Sequence, residues 1–398
     1  MKGFILSRLI FVAFLVLGAS FLSAADMSRK IIVFAPGFSN PIAQAALLKK
    51  FGATPVKPLR IVNGFAVTLP ETAQNLLETR LGIEINRIAD DIVFHGTGKP
   101  VDPVQPPQTL PWGVDRIEAD LAWTETNGTM VNVATLDSGA YLEHPDLAAN
   151  IKGNYNAINP HRSADDDNGH GTHVAGIIAA ANNDIGVVGA APMVNLYPVK
   201  VLDKDNSGVL SDILDGMQWC IDNHMQVVNM SFGAPGSDPL LQAAVIAMHL
   251  AGIVQVAAAG NMGSSGGTIL YPAKYPETIA VSSVNINGTL AASSSYGPEI
   301  DLAAPGVSIY SASMDGLYVY KNGTSMAAPH VTASAALLLS IYPDLTPDDV
   351  KATLKNTAED LGLSPEEQGA GLVRPDQAIQ NPSSSTLLES VISAVPLL

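Results

Sequence analysis

Short apolar runs, separated by polar breaks rich in glycine and proline, recur along most of this 398-residue chain. From residue 131 onward, runs of strand length alternate with runs of helical period. Residues 131–136, 194–201, 226–230, 253–257 and 278–283 read as strands, and 170–181, 210–223 and 239–251 as helices. That alternation predicts an α/β domain, a mostly parallel sheet with helices on both faces. Ligands of such sheets bind at the carboxyl ends of strands. Upstream the pattern differs: strand 30–34, helix 42–51, strand 61–69, helix 71–81 and further strand over 83–94. This is the β-α-β-β-α-β order of a small ferredoxin-like α+β unit. Residues 96–107, rich in Gly and Pro, read as an exposed linker. Near the C-terminal end, Gly323-Thr324-Ser325-Met326-Ala327-Ala328-Pro329-His330 leads into an apolar, glycine-free run as far as Leu339. A buried helix is expected there, with Ser325 at or near its start and Pro329 close to the first turn, where a missing N–H costs least.

Both ends of the chain carry apolar runs too short to span a membrane. Lys2 and Arg8, the run 9–17 and Ser23-Ala24-Ala25 make residues 1–25 an export signal with a cleavage site. No charged stop-transfer segment follows, so a secreted protein is expected, extracellular or periplasmic, with no membrane span in the mature form. Residues 381–398 read as a tail, with Pro382-Ser383-Ser384-Ser385 as linker. Hydrophobic residues make up 47% of the chain, which predicts a packed globule. Cys220 is the only cysteine and sits on an apolar helix face, so it reads as a buried inert thiol and no internal disulfide can form. Stability must then come from packing or bound ions.

Charge is uneven. Residues 26–99 carry a net of +3 and residues 103–398 a net of −20, so the two parts should attract. The acidic surface argues against a nucleic-acid partner. A monomer is expected.

Four polar residues fall where such a sheet binds ligands. Asp137 closes a strand in Leu136-Asp137-Ser138-Gly139. His170 opens a helix in Asn168-Gly169-His170-Gly171-Thr172-His173-Val174-Ala175-Gly176. Asn261 follows a strand in Ala257-Ala258-Ala259-Gly260-Asn261, and Ser325 completes the set. Acyl transfer by serine needs a nucleophile, an imidazole base, a carboxylate that holds the imidazole in one tautomer, and donors for an oxyanion. Each residue also has a plainer reading. Ser325 could be a helix cap, Asp137 a turn residue, Asn261 a loop residue, and His173 a satisfied helix histidine. The two histidines lie i, i+3 without the intervening glutamate of the zinc-protease pattern. Asp165-Asp166-Asp167 is a solvated acidic turn or a calcium loop, and the turn is favoured.

The motifs DSG, HGTHVAG, AAGN and GTSMAAPH stand together in one order, and the chain thereby resembles subtilisin-type serine proteases. The similarity covers roughly residues 107–380, and residues 26–99 resemble the family's inhibitory prodomain, followed by a processing linker at 100–107 and a catalytic domain over 108–380. The resemblance implies an endopeptidase made as an inactive precursor, acting on protein and peptide substrates and inhibited by its own prodomain. A serine esterase or an inert protease-like binding protein are the rivals. It also implies cleft segments at 206–210 and 231–233, with Gly208, Ser231, Phe232 and Gly233 taking the peptide backbone. Ala258, Ala259 and Gly260 would wall the first side-chain pocket, and Leu270 would narrow it. Leu210, Ile213 and Phe232 would line an apolar pocket further along. Finally, it implies structural calcium, held by side chains of Gln108, Asp146 and Asn183 and by carbonyls of Ala181, Ile185 and Val187. A weaker second ion site would use Glu299 and Asp301 with carbonyls near Ala273 and Tyr275. The family's pattern puts maturation near Pro106-Pro107; because a proline after the scissile bond is a poor substrate, any bond in 95–107 is allowed.

Overall fold

The computed structural model describes residues 27–96, 99–104, 107–263 and 266–383, so the export signal and nearly all of the tail lie outside the described residues. The N-terminal unit is a four-stranded antiparallel sheet in the order Thr54–Leu59, Gly64–Pro70, Met27–Phe34, Ile85–Asp90, with helices Pro41–Lys50 and Glu71–Glu78. Successive side chains of a strand point to opposite faces. Ile32 and Phe34 accordingly pack with Leu48, Phe65, Val67 and Leu77 in the unit's own core, while Ile31 and Val33 join Leu59 and Ala66 against the large domain. That explains why 31–34 is apolar without alternation: both faces are covered.

Two details depart from the sequence reading. Thr54–Leu59 is a strand despite Pro55 and Pro58, because it is the sheet's edge, where a missing N–H breaks no ladder. The expected strand 61–69 begins only at Gly64, after the single turn Arg60–Val62 and Asn63 in the left-handed region at φ 49°.

The large domain is built on a seven-stranded parallel sheet in the order Leu302–Pro305, Thr278–Val284, Val254–Ala258, Val227–Met230, Asn132–Asp137, Asn195–Lys200, Tyr155–Asn156. One face carries Val133, Val227, Val256 and Ile279 and packs on helices His170–Ala179 and Thr324–Ile341. The other carries Leu136, Val228 and Met230 and packs on Leu210–Asp222 and Pro239–Leu250. Thr324–Ile341 is apolar enough to cross a membrane by composition, but 89% of it is buried: it is the core helix. Cys220 is fully buried, and burial pushes its thiol up, away from reactivity.

Two small sheets fasten the N-terminal part to the large domain. Val93–Gly96 lies antiparallel between Ser207–Val209 and Phe232–Gly233, and Lys99–Val104 pairs antiparallel with Tyr318–Asn322, itself paired with Ile309–Ala312. The expected exposed linker over 96–107 is therefore wrong for its middle. Pro100 and Pro103 sit in an edge strand, the one place in a sheet that tolerates them.

Candidate active site

Asp137 ends a central strand and His170 opens the helix packed beside it, which brings the two side chains together. Asp137 Oδ1 lies 2.7 Å from His170 Nδ1, with both groups buried. The Ser138 N–H also donates to that oxygen. His170 Nε2, on the far side of the ring, is buried and has no hydrogen-bond partner among the described residues. One turn on, His173 makes different contacts. Its Nε2 lies 3.0 Å from the carbonyls of Ile309 and Val319, and burial with Lys321 nearby pushes its pKa well down. A neutral ring donating from Nε2 satisfies those distances.

Ser325 is the second residue of its helix. The N-cap is Gly323 at φ 139°, and the serine hydroxyl makes no cap bond; it donates to the Ser231 carbonyl at 3.0 Å. Pro329 lies inside the helix rather than in its first turn. A proline cannot donate to the carbonyl four residues back, here that of Ser325. The Ser231 hydroxyl supplies the missing donor, at 3.0 Å from Ser325 O. Ser231 and Ser325 are thus linked twice. Asn261 is held through its oxygen, which accepts from Thr324 N at 3.0 Å and from the Thr324 hydroxyl at 3.3 Å.

The cleft segments flank the serine, and the chain's own strand fills them. His95 pairs with Ser207 and Gly233, Phe94 with Gly208, and Gly96 with Phe232. The pairing continues as Leu210 N to Ile92 O at 2.7 Å, and Asp91 accepts from both N and Oγ of Ser211. Leu210, Ile213 and Phe232 lie fully buried in one apolar cluster. Ala258, Ala259 and Gly260 follow the strand end, and Leu270 N donates to Ala259 O. Leu270 wedges between two glycines: a Cβ on Gly233 would come within 2.6 Å of it, and one on Gly260 within 2.7 Å.

Two residues near this site carried no signal that the sequence reading used. Asp166, expected in a solvated turn, organises the start of the histidine helix. Its Oδ1 accepts from Asn168 N, Gly169 N and Ser138 Oγ, and its Oδ2 from the amide and hydroxyl of Thr172. Burial pushes its pKa up, but the Thr172 hydroxyl and these amides outweigh it and hold the carboxyl below its usual value. An acid a few residues before a helix start was the available clue. Lys321 is buried on the strand leading to Ser325; its Nζ donates to Gly169 O at 2.8 Å, and burial lowers its pKa. A lone lysine among Tyr318-Val319-Tyr320 was the hint.

The expected calcium residues converge on the loop 181–187. Asp146 is fully buried; Oδ2 accepts from Val187 N at 3.1 Å, while Oδ1 has no hydrogen-bond partner among the described residues, with the Tyr318 phenol alongside. Among the described residues, no backbone hydrogen bond uses the carbonyls of Ala181, Ile185 or Val187. A buried, incompletely paired carboxylate beside unused carbonyls is a donor set that suits a hard cation. Asn183 Oδ1 accepts from Ile185 N at 3.2 Å. Gln108 differs from expectation: its oxygen already accepts from Asn183 N and Asp184 N, so it braces the loop from outside. The second ion site is overturned. Asp301 is bridged to Lys351 at 2.8 Å and Lys355 at 2.7 Å, Glu299 pairs with Lys274, and the Thr278 hydroxyl, a single donor, lies 3.0 Å from Ala273 O and 2.8 Å from Tyr275 O. Lysine ammonium groups already neutralise both carboxylates.

Comparison with known proteins agrees with this geometry. Residues 128–371 match the family model described as the subtilase family. Subtilisin E of Bacillus subtilis (strain 168) is 40% identical over 390 residues, covering 95% of this chain and 97% of its own length. A subtilisin of Bacillus pumilus is 47% identical over 280 residues, 69% of this chain and all of its own length, and subtilisin BL of Lederbergia lenta is 43% identical over 272. The chain belongs to the subtilase family, on a mostly parallel α/β sheet. It is a serine endopeptidase.

Proposed function

We propose that this chain is an exported endopeptidase precursor in which Ser325 is the nucleophile and residues 26–99 form an inhibitory prodomain. The observation that carries the reading is the strand Val93–Gly96, laid antiparallel between Ser207–Val209 and Phe232–Gly233. The cleft takes an extended backbone through main-chain bonds, which a simple ester lacks, so peptides are the favoured substrates.

In the reaction the Ser325 hydroxyl turns from the Ser231 carbonyl toward His170 Nε2 and gives up its proton as Oγ attacks the substrate carbonyl. Asp137, already bonded to Nδ1, fixes the tautomer and stabilises the imidazolium. With Asn261 Oδ1 committed to Thr324, the amide's donor end meets the oxyanion, together with the Ser325 N–H near a helix N-terminus. His170 returns the proton to the leaving amine as the C–N bond breaks. Water, deprotonated by the same ring, then releases the acyl group. With Leu270 between Gly233 and Gly260, the first pocket favours small or medium apolar side chains.

Calcium belongs to the same reading. Asp146, Asn183 and the carbonyls of Ala181, Ile185 and Val187 would hold it, and it would neutralise a buried carboxylate and stiffen the loop. The pattern of residues 1–25 assigns the product to the outside of the cell.

An active-site-directed fluorophosphonate should add its mass to Ser325 and to no other residue. Ser325→Ala should abolish hydrolysis and leave the precursor uncut. Wild-type turnover by that variant would sink the mechanism, and faster turnover of a simple ester than of a protein substrate would sink the preference for peptides.

A further inference from the structure

Resting on Ser325 as the nucleophile, we propose that Asn229 and Thr332 are positioning residues. With Ser231 they form a buried chain of hydrogen bonds that supplies Ser325 O with the donor Pro329 lacks, and so fixes the serine against the cleft wall. The chain starts in the central strand Val227–Met230. Alternation along a strand sends Val228 and Met230 to one face of the sheet. It sends Val227 and Asn229 to the other, the face covered by helix Thr324–Ile341. Asn229 stands between Thr135 and Val256 of the neighbouring strands and is fully buried. A buried amide costs free energy unless both of its ends are bonded. Here Oδ1 accepts from the Thr332 hydroxyl at 2.9 Å, and Nδ2 donates to Ser231 Oγ, also at 2.9 Å. Thr332 follows Ser325 by about two turns and so shares its side of the helix.

The direction of each bond follows from the number of protons. A hydroxyl has one to give. Ser231 Oγ accepts from Asn229, and its proton goes to Ser325 O at 3.0 Å. The Thr332 proton lies between Asn229 Oδ1 at 2.9 Å and Ala328 O at 3.1 Å. Turned over, the amide would present Oδ1 to Ser231 and draw that serine's proton away from Ser325 O. By giving its proton to Oδ1, Thr332 holds the amide in the orientation that leaves the Ser231 proton for Ser325.

Ser231 opens the cleft segment whose next two residues, Phe232 and Gly233, pair with an extended chain. The buried chain therefore joins the part of the cleft that places a peptide to the residue that attacks it. Ser325 O and Oγ both meet Ser231, and the Ser325 N–H is an oxyanion donor in the proposed reaction. Attack geometry tolerates little displacement: a shift of about 1 Å can cost about 10² in rate. The main-chain bonds of Phe232 and Gly233 to a substrate do not pass through Asn229 or Thr332. Loss of the chain should accordingly lower kcat and leave KM nearly where it was.

Pro329 supplies the arm of the test that separates positioning from plain stability. Pro329→Ala restores a backbone N–H four residues after Ser325, which in a helix donates to Ser325 O. The hydroxyl of Ser231, and the two residues that aim it, then become redundant for that carbonyl. A merely structural loss at Asn229 or Thr332 would be the same with either residue at 329.

The test expresses each variant as the full chain and measures steady-state hydrolysis of a peptide anilide after processing. Ser231→Ala should lower kcat about tenfold and Asn229→Leu about threefold, with KM within about twofold of wild type. Both losses should shrink when Pro329→Ala is added. Thr332→Val keeps the shape and removes the hydroxyl, so it probes the far end even where Asn229→Leu does not fold. It should also lower kcat about threefold, and Thr332→Ser should recover most of that loss. Unchanged kcat in Ser231→Ala or Thr332→Val overturns the inference, as do equal losses with and without Pro329→Ala. Either result, from an enzyme whose Ser325 still takes a fluorophosphonate, leaves the proposed function intact. A wild-type enzyme that hydrolyses peptides but carries the label on another residue overturns the nucleophile itself.

Discussion

The seam between the N-terminal unit and the large domain is held differently from the packing around helix Thr324–Ile341. The seam mixes an apolar patch with ion pairs: Lys57 with Asp212 and Asp215, Arg29 with Asp212, and Arg60 with Asp222. Burial pushes the Asp212 carboxyl up in spite of Lys57 and Arg29, so part of that attraction is offset by desolvation. Around the serine helix there is no such rim. All of its first sixteen residues are buried, the hydroxyls of Thr324, Ser325, Thr332 and Ser334 are bonded within the core, and burial keeps His330 neutral. One contact is suited to being left, with charges that water can take back; the other is not.

The largest effect expected from either region is in the core beside the serine. Asn261→Ala should lower kcat by about 10²–10³, the loss seen when this donor is removed in subtilisin, and leave folding intact. Steady-state kinetics on a peptide anilide reads it; an unchanged kcat would remove Asn261 from the oxyanion site.

Next comes the loop. Asp146→Ala should lower the melting temperature and erase most of its dependence on free calcium, which at a hundredfold excess over Kd is worth about 2.7 kcal/mol. Thermal inactivation in calcium and in chelator gives the answer, and coincident curves for the wild type would sink the assignment.

The core should also be the region that acid attacks through His330. Burial pushes its imidazole down to about 4, against 6.5 for the free side chain, while Nδ1 sits 2.8 Å from Met326 O. The unfolded chain takes up this proton near pH 6.5 and the folded one only near 4. The histidine's contribution is thus fully present above 6.5 and is lost progressively as the pH falls toward 4. Between pH 7 and 5 that amounts to about 2 kcal/mol. His330→Gln should flatten the fall in urea midpoint over that range. Equal slopes for the two proteins would show that another group is responsible.

Leu270→Gly should improve kcat/KM for phenylalanine or tyrosine before the cut by about tenfold, measured across a peptide library. A wild type that already prefers those residues would show Leu270 lies elsewhere in the bound state.

The seam itself should give the smallest changes. The N-terminal unit added in trans should inhibit the mature enzyme, less so at high salt, with Lys57→Ala weakening it further. Arg60→Ala, which breaks a pair exposed to water, should cost about 0–1 kcal/mol. Inhibition that is indifferent to salt would remove charge from the account of this seam.

What the sequence could tell followed the range of the interactions. Asp137, His170, Asn261 and Ser325 each stand at or beside the end of an element inside a short run of characteristic neighbours, so local reading could single them out as candidates. The parallel sheet was legible because its strands are short apolar runs between helical ones. The strands Thr54–Leu59 and Lys99–Val104 were not, because proline reads as a breaker until the edge position is known. Asp301 resembled an ion ligand because its lysine partners lie 50 and 54 residues away and leave no trace beside it. Lys321 was passed over for the same reason: its acceptor, Gly169 O, lies 152 residues earlier.

Pro329 and Ser231 have a bearing on how such an enzyme can change over generations. The proline takes a donor from the Ser325 carbonyl and the serine, 98 positions earlier, replaces it. Exchanging Ser231 for alanine would take a donor from a buried acceptor. Exchanging Pro329 for alanine would offer the same oxygen a second donor, which its two lone pairs can accept. The dependence therefore runs one way: a lineage that carries Pro329 is constrained in what it can place at 231, whereas one that carries Ser231 is freer at 329.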